Sequence, residues 1–143
     1  MKPVFLKSFL AGIKKSPAPV SILNLFILSF LALSIKFWSL WDDEKLIGCG
    51  ALKFLDKEHG EFKSIRIHNN FRMQGQGINV INHLINEAKR LKIKRLSIET
   101  GAGDFFMPAR KLFKKTGFTV CEPFAHYKED INSVYLTKLI DDR

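Results

Sequence analysis

The six residues Arg72-Met-Gln-Gly-Gln-Gly77 stand between an alternating run at 61–68 and a strongly amphipathic run at 78–91. A strand that feeds a glycine turn, which in turn opens a helix, leaves the chain few arrangements. Two glycines one residue apart let the backbone turn tightly and bare several N–H groups at the helix N-terminus. Those unpaired donors and the positive end of the helix dipole point the same way, which suits a phosphate or pyrophosphate. A glycine-rich turn is more often only a turn, so its neighbours must decide the reading.

Upstream, residues 35–41 alternate and are rich in aromatics, residues 46–55 form an apolar run holding Gly48 and Gly50, and residues 61–68 alternate again. Each is a strand pattern, and the polar stretches 42–45 and 56–60 are short enough for turns. The three predict an antiparallel meander. Alternation puts Phe62, Ser64, Arg66 and His68 on one face of the third strand and Glu61, Lys63, Ile65 and Ile67 on the other. Glycines inside a strand mark a bulge or a close backbone approach.

In the amphipathic run, Ile78, Val80, Ile81, Leu84, Ile85, Ala88 and Leu91 recur at three- and four-residue steps, so one helix face is apolar. Residues 95–100 read as a strand, and a strand–helix–strand connection of this length makes a parallel βαβ unit. After the glycine link at 101–103, Pro108 suits the first turn of a short helix over 108–115, with Gly117 as its left-handed cap. Strands over 118–122 and 133–139 follow, joined by a loop at 123–132. The fold class is α/β, a mixed sheet with helices on its faces.

The chain has 143 residues, enough for one domain with a real core. A formal charge of +9 favours anionic partners (nucleic acid, acidic lipid or a polyanionic cofactor) without choosing among them. No aromatic-plus-basic surface pattern appears at recognisable spacing, so nucleic acid is not the expected partner. Cys49 and Cys121 have apolar surroundings and no Cys-x-x-Cys spacing, the pattern of buried thiols in a reducing compartment. His59, His68, His83 and His126 show no metal-ligand spacing, and no metal is expected.

Residues 1–34 differ in character from 35–143 and are set apart as an atypical apolar segment. Lys2, Lys7, Lys14 and Lys15 precede an apolar run at 20–35, broken only by Ser21, Asn24, Ser29 and Ser34. Pro17 and Pro19 stop any helix before Val20. The run falls short of the ~20 residues a spanning helix needs. Three readings stay open: a helix packed in the protein or on a partner, a membrane anchor, and a disrupted segment.

The glycine loop and its context resemble the GCN5-related N-acetyltransferases (GNAT). There a strand is followed by Arg/Gln-x-x-Gly-x-Gly/Ala at a helix start, and Arg72, Gly75 and Gly77 match this. A second family feature is a short helix ending in a bulky residue, three spacers, then Gly-Phe. Ala109-Arg-Lys-Leu-Phe-Lys-Lys-Thr-Gly-Phe118 matches it. The resemblance covers about residues 35–140. The stretches Gly48-Cys-Gly-Ala-Leu-Lys53, His59-Gly-Glu61, Glu99-Thr-Gly101, Pro108-Ala-Arg110 and Cys121-Glu-Pro-Phe124 are similar to the YsnE-like bacterial subgroup.

The resemblance implies a GNAT-like acyl-CoA N-acyltransferase fold and acetyl-CoA as co-substrate. The pyrophosphate would lie on the backbone N–H groups of Met73, Gln74, Gly75, Gln76, Gly77 and Ile78, with Arg72 adding positive charge. The pantetheine arm would pair, strand-like, with Ile65, Arg66 and Ile67. The acetyl group would lie where two parallel strands splay. The implied reaction is attack of an amine on the thioester, with Glu61 and Glu99 as candidate bases and His68 as a third. Many family members carry Tyr where this chain has Phe113, which has no proton to give; Tyr127 can stand in as the acid if its loop folds back. The usual Asn is replaced by Phe106, and residues 1–34 do not read as the usual strand and two helices. The expected protein is a cytoplasmic N-acetyltransferase for a small-molecule amine, or membrane-anchored if residues 20–35 make that contact. The alternative is a non-catalytic acyl-CoA-binding or regulatory domain on the same fold.

Overall fold

The computed structural model describes residues 5–8 and 34–140. Strands β1 (Phe5–Ser8), β2 (Ile35–Asp42), β3 (Lys45–Phe54) and β4 (His59–Ile67) form an antiparallel meander. Helix α1 (Gln76–Arg90) crosses to β5 (Arg95–Gly101), which lies parallel to β4. Helix α2 (Met107–Lys115) leads to the short β6 (Thr119–Val120) and to β7 (Ser133–Leu139), which is antiparallel to both β5 and β6. One seven-stranded sheet results, in the order β1-β2-β3-β4-β5-β7-β6. The meander, the parallel βαβ unit and the mixed sheet are as the sequence pattern predicts.

β1 comes from the stretch set apart on composition, yet it pairs Phe5–Ser8 with Trp41–Trp38 at the sheet edge. Residues 9–33, and with them nearly all of the apolar run at 20–35, lie outside the described residues. Among the described residues no helix is long and apolar enough to cross a membrane.

The apolar stripe of α1 becomes the core. Val80, Ile81, Leu84, Ile85 and Ala88 are buried against the sheet, with Leu52, Phe62, Leu96, Ile98 and Leu136 beneath them. The helix lies close enough to the sheet that a Cβ on Gly50 would come within 2.9 Å of both Val80 and Leu84, so β3 needs glycine there. α2 ends at Gly117, in the left-handed region at φ +89°, where Phe118 donates back to the Phe113 carbonyl. Phe118 thereby turns inward, its ring 5.6 Å from Phe62 and 5.7 Å from Phe113.

The structure corrects three local expectations. The strand expected at 118–122 holds only at Thr119–Val120; Cys121 still donates to Tyr135, but Pro123 has no N–H to continue the ladder. The two cysteines are half-buried rather than buried, and both are free thiols. The faces of β4 are not a simple alternation. Pairing with β3 shifts between Cys49 and Ala51, and Ser64, at φ +52°, is the extra residue of a bulge. The bulge flips the parity of everything after it. Phe62, Ile65 and Ile67 therefore share the core side, while Glu61 and Lys63 face the other way.

Candidate functional site

β4 and β5 pair only from His59–Arg95 through Glu61–Ser97. Beyond that point β4 runs on to Ile67 and β5 to Gly101 without pairing to each other, and the two strands splay. The bulge at Ser64 bends β4 at this divergence. Arg110 pins the other lip of the crevice, donating to the Gly101 and Gly103 carbonyls at 2.6 and 2.8 Å.

At the far end of β4 the chain passes through a single helical turn (Asn69–Phe71) into the glycine loop. Met73 at φ +59° and Gly75 at φ +80° are both left-handed, and Gly75 forms the N-cap of α1. That end has no side-chain cap and no acidic residue in its first turn, so neither of the usual partners of its first N–H groups is present. The Arg72 guanidinium folds back, with Nε donating to the Ile67 carbonyl at 3.1 Å. This draws the loop against the end of β4. Gln74 anchors the loop from the other side, donating to the Asn70 carbonyl at 3.0 Å. Of the remaining candidate contacts, Ile65 and Ile67 pack on the core and Arg66 is exposed.

The sheet face away from α1 carries a row of polar side chains under the 121–132 loop. His59 Nε2 lies 2.8 Å from Ser97 Oγ, which lies 3.1 Å from Thr137 Oγ1. Next along the strands, Glu61 is fully buried, at 0% exposed. Its Oε1 accepts from Tyr127 Oη at 2.6 Å and from Lys63 Nζ at 2.7 Å, and Lys63 also donates to Tyr127 Oη. Then comes Glu99, half-buried, accepting from Ser133 Oγ at 2.6 Å. An aromatic pile holds the loop down: the Phe124, Tyr127 and Tyr135 rings lie 5.1 to 6.1 Å apart. The loop bearing Tyr127 does fold back, and it brings Tyr127 onto Glu61. Glu99 lies outside that contact. His68 sits at the exposed strand end and accepts from Asn70 N–H. Phe113 is buried edge-on against Phe118.

Sequence reasoning passed over Lys63 and Ser133. Lys63 did carry a signal, since it shares a strand face with Glu61 at a two-residue step. Ser133 carried none, because its contact with Glu99 depends on the β5–β7 register, in which Gly101 faces Ser133 and Glu99 faces Tyr135.

Burial pushes the Tyr127 hydroxyl up, helped by its bond to Glu61 and opposed by Lys63. For Lys63, burial alone would lower the ammonium, but the bonds to Glu61 and Tyr127 outweigh it and raise it. At neutral pH Lys63 is therefore an ammonium and Tyr127 a neutral phenol. Burial holds His59 and His83 below the ordinary 6.5, against the pull of Asp56 and Glu87 respectively. Each stays neutral when folded and takes up a proton more readily when unfolded. Their contribution to stability is present above about pH 6.5 and is lost as the pH falls below it towards the folded values. The melting temperature should drop on acidification through this window, and a His59→Gln/His83→Gln variant should show a shallower drop. An equal slope in both proteins would refute the assignment.

Among the described residues no group of three or more His, Cys, Asp or Glu is placed to hold a metal. The mixed sheet thus parts beside a helix N-terminus that has neither a side-chain cap nor an acid.

The acetyltransferase (GNAT) family model matches residues 10–118. Over 104 residues the chain is 51% identical to "Uncharacterized N-acetyltransferase YsnE" of Bacillus subtilis (strain 168) and 41% identical to "Uncharacterized N-acetyltransferase YedL" of Escherichia coli (strain K12). Each match covers 73% of this chain, and they cover 69% and 65% of those relatives. A GNAT family acetyltransferase from Elizabethkingia anophelis, solved with acetyl-CoA bound, shares the fold at a TM-score of 0.69 and 20% identity, over 96% of this chain and 98% of that one. The chain belongs to the GNAT family. It is an N-acetyltransferase that takes acetyl-CoA as its co-substrate.

Proposed function

We propose that the acceptor is a small-molecule amine and that the glycine loop and the splayed strands hold the donor. The observation that carries this reading is the end of β4–β5 pairing at Glu61–Ser97, beside an α1 N-terminus with neither a side-chain cap nor an acid. The backbone N–H groups of residues 73–78 receive the pyrophosphate, with Arg72 beside them. The pantetheine arm lies along Ile65, Arg66 and Ile67, whose strand has no partner on the β5 side. The thioester then sits in the crevice, where backbone N–H groups polarise its carbonyl. Glu61, Glu99 and Tyr127 are the candidate side chains for moving protons, and they need not all take part. A small acceptor suits a polar row closed over by the 121–132 loop better than a folded protein would. The cytoplasm is the compartment that suits two free thiols.

The test is thermal shift with acetyl-CoA, followed by thiol release with a panel of primary amines. The expected result is a rise in melting temperature with acetyl-CoA and turnover on at least one amine. Stabilisation without turnover on any amine would overturn the small-amine reading. No stabilisation at all would overturn the placement of the donor.

A further inference from the structure

We propose that Glu99 is the base for acetyl transfer, with Ser133 as its positioning residue, and that Lys63 and Tyr127 hold Glu61 in a structural ion pair. This assignment rests on the acetyl-transfer reading above and chooses between its two carboxylates.

The first argument is access. A general base must come within hydrogen-bond reach of the proton it takes. Glu61 is 0% exposed, and its Oε1 already accepts from both Tyr127 Oη and Lys63 Nζ. Its Oε2 has no hydrogen-bond partner, but it is buried from solvent and so out of an incoming ammonium's reach. Glu99 is half-buried and makes one side-chain bond, from a neutral hydroxyl. Among the described residues no Lys, Arg or His forms an ion pair with it.

The second argument is charge. The Lys63 ammonium already neutralises Glu61, so a second cation would gain little there. Glu99 has no such partner, and an acceptor arriving as an ammonium is drawn to it.

The third argument is position. Glu61 occupies the last paired rung of β4 and β5, opposite Ser97. Glu99 lies two residues further along β5, about 6.6 Å towards the open end, where the strands no longer pair. Strand alternation keeps it on the same face as Ser97. The crevice therefore opens beside Glu99 and beyond Glu61. Ser133 lies diagonally across on β7, and its hydroxyl fixes one oxygen of Glu99, which leaves the other for the acceptor.

In the transfer, Glu99 takes one proton from the acceptor ammonium and later passes it to solvent. The freed nitrogen lone pair forms the new C–N bond to the thioester carbon. The C–S bond then breaks with its electron pair on sulfur. The thiolate takes the second nitrogen proton, directly or through water. The products are the N-acetylated amine, the coenzyme A thiol and one released proton.

The test compares Glu99→Gln, Glu61→Gln, Ser133→Ala and Ser133→Thr. It uses thiol release from acetyl-CoA with the fastest amine of the panel and with water as the acceptor, alongside acetyl-CoA affinity and melting temperature. Glu99→Gln should lower kcat by about 10²–10⁴-fold, with affinity and melting temperature kept. Glu61→Gln should melt at lower temperature, and below its transition should lose less than about tenfold in kcat. Ser133→Ala should lower kcat about tenfold with the KM for acetyl-CoA and the melting temperature kept, a split that a merely structural serine would not show, and Ser133→Thr should restore kcat. A folded Glu61→Gln protein that is inactive, beside an active Glu99→Gln protein, would overturn the base assignment and leave the transferase reading intact. Donor binding by the wild type with no thiol release on either acceptor would overturn both.

Discussion

Gly75→Asp is expected to abolish useful acetyl-CoA binding, raising Kd by about 100-fold or more, which corresponds to about 2.7 kcal/mol. Gly75 sits at φ +80°, and no atom lies within 4 Å of where its Cβ would be. A side chain is therefore not excluded by space. Two other effects act. An L-residue held left-handed costs about 1–2 kcal/mol. A carboxylate at the N-cap would occupy the place proposed for the pyrophosphate, satisfying the same N–H groups from inside and repelling the ligand. Gly75→Asn separates the two effects, since asparagine tolerates the left-handed region and carries no charge. It should bind within several-fold of wild type. Calorimetric titration with acetyl-CoA, after circular dichroism has confirmed the fold, is the measurement. Unchanged affinity in the aspartate variant would show that the loop holds no pyrophosphate.

Phe118→Ala should cost about 3–5 kcal/mol of folding stability, a large part of the 5–15 kcal/mol typical of a domain. Phe118 is 2% exposed and follows the Gly117 turn that ends α2. Its ring meets Phe62 of β4 on one side and Phe113 of α2 on the other. It is thus the wedge that seats α2 against the centre of the sheet, just below the splay. Truncation leaves a cavity between two rings that cannot both move in, because Phe113 is tied to its helix and Phe62 to its strand. A urea midpoint shift at constant m-value is the readout. Phe118→Leu, which refills most of the space, should recover more than half of the loss. If the alanine variant lost less than about 1 kcal/mol, the site would have collapsed and α2 would be seated by other contacts.

Much of this was legible in the residues because it rests on local periodicity. The apolar steps from Ile78 to Leu91 located α1 to within two residues, the alternation in 35–41 located β2, and the run at 133–139 reads as the final strand, which is β7. Gly117 could be read as a left-handed cap because a helix pattern stops in front of it. The faces of β4 could not be read, because the inserted residue at Ser64 is defined only by the register with β3. From there on, parity in the sequence and parity on the sheet disagree. The polar row had the same limit. Glu61 and Glu99 stood out as carboxylates on central strands, but their difference is tertiary: one lies under Tyr127 with a lysine, the other lies beside Ser133 from another strand. The four-residue β1 was hidden by its shortness and its mixed composition.

The three rungs that join β4 to β5 have a consequence for how the molecule comes apart. On one side of them lie four meander strands, and on the other the three strands of the C-terminal part. A sheet seam this short should let the two blocks open separately, although one apolar core runs beneath both. Native-state hydrogen exchange should resolve the β3–β4 amides from the β5–β7 amides in the apoprotein. A donor lying along 65–67 would then act as a transient eighth strand, completing the ladder across the gap. The two blocks would gain protection together on binding and lose it together on product release. In that sense the co-substrate, so placed, would serve for each turnover as part of the protein's secondary structure.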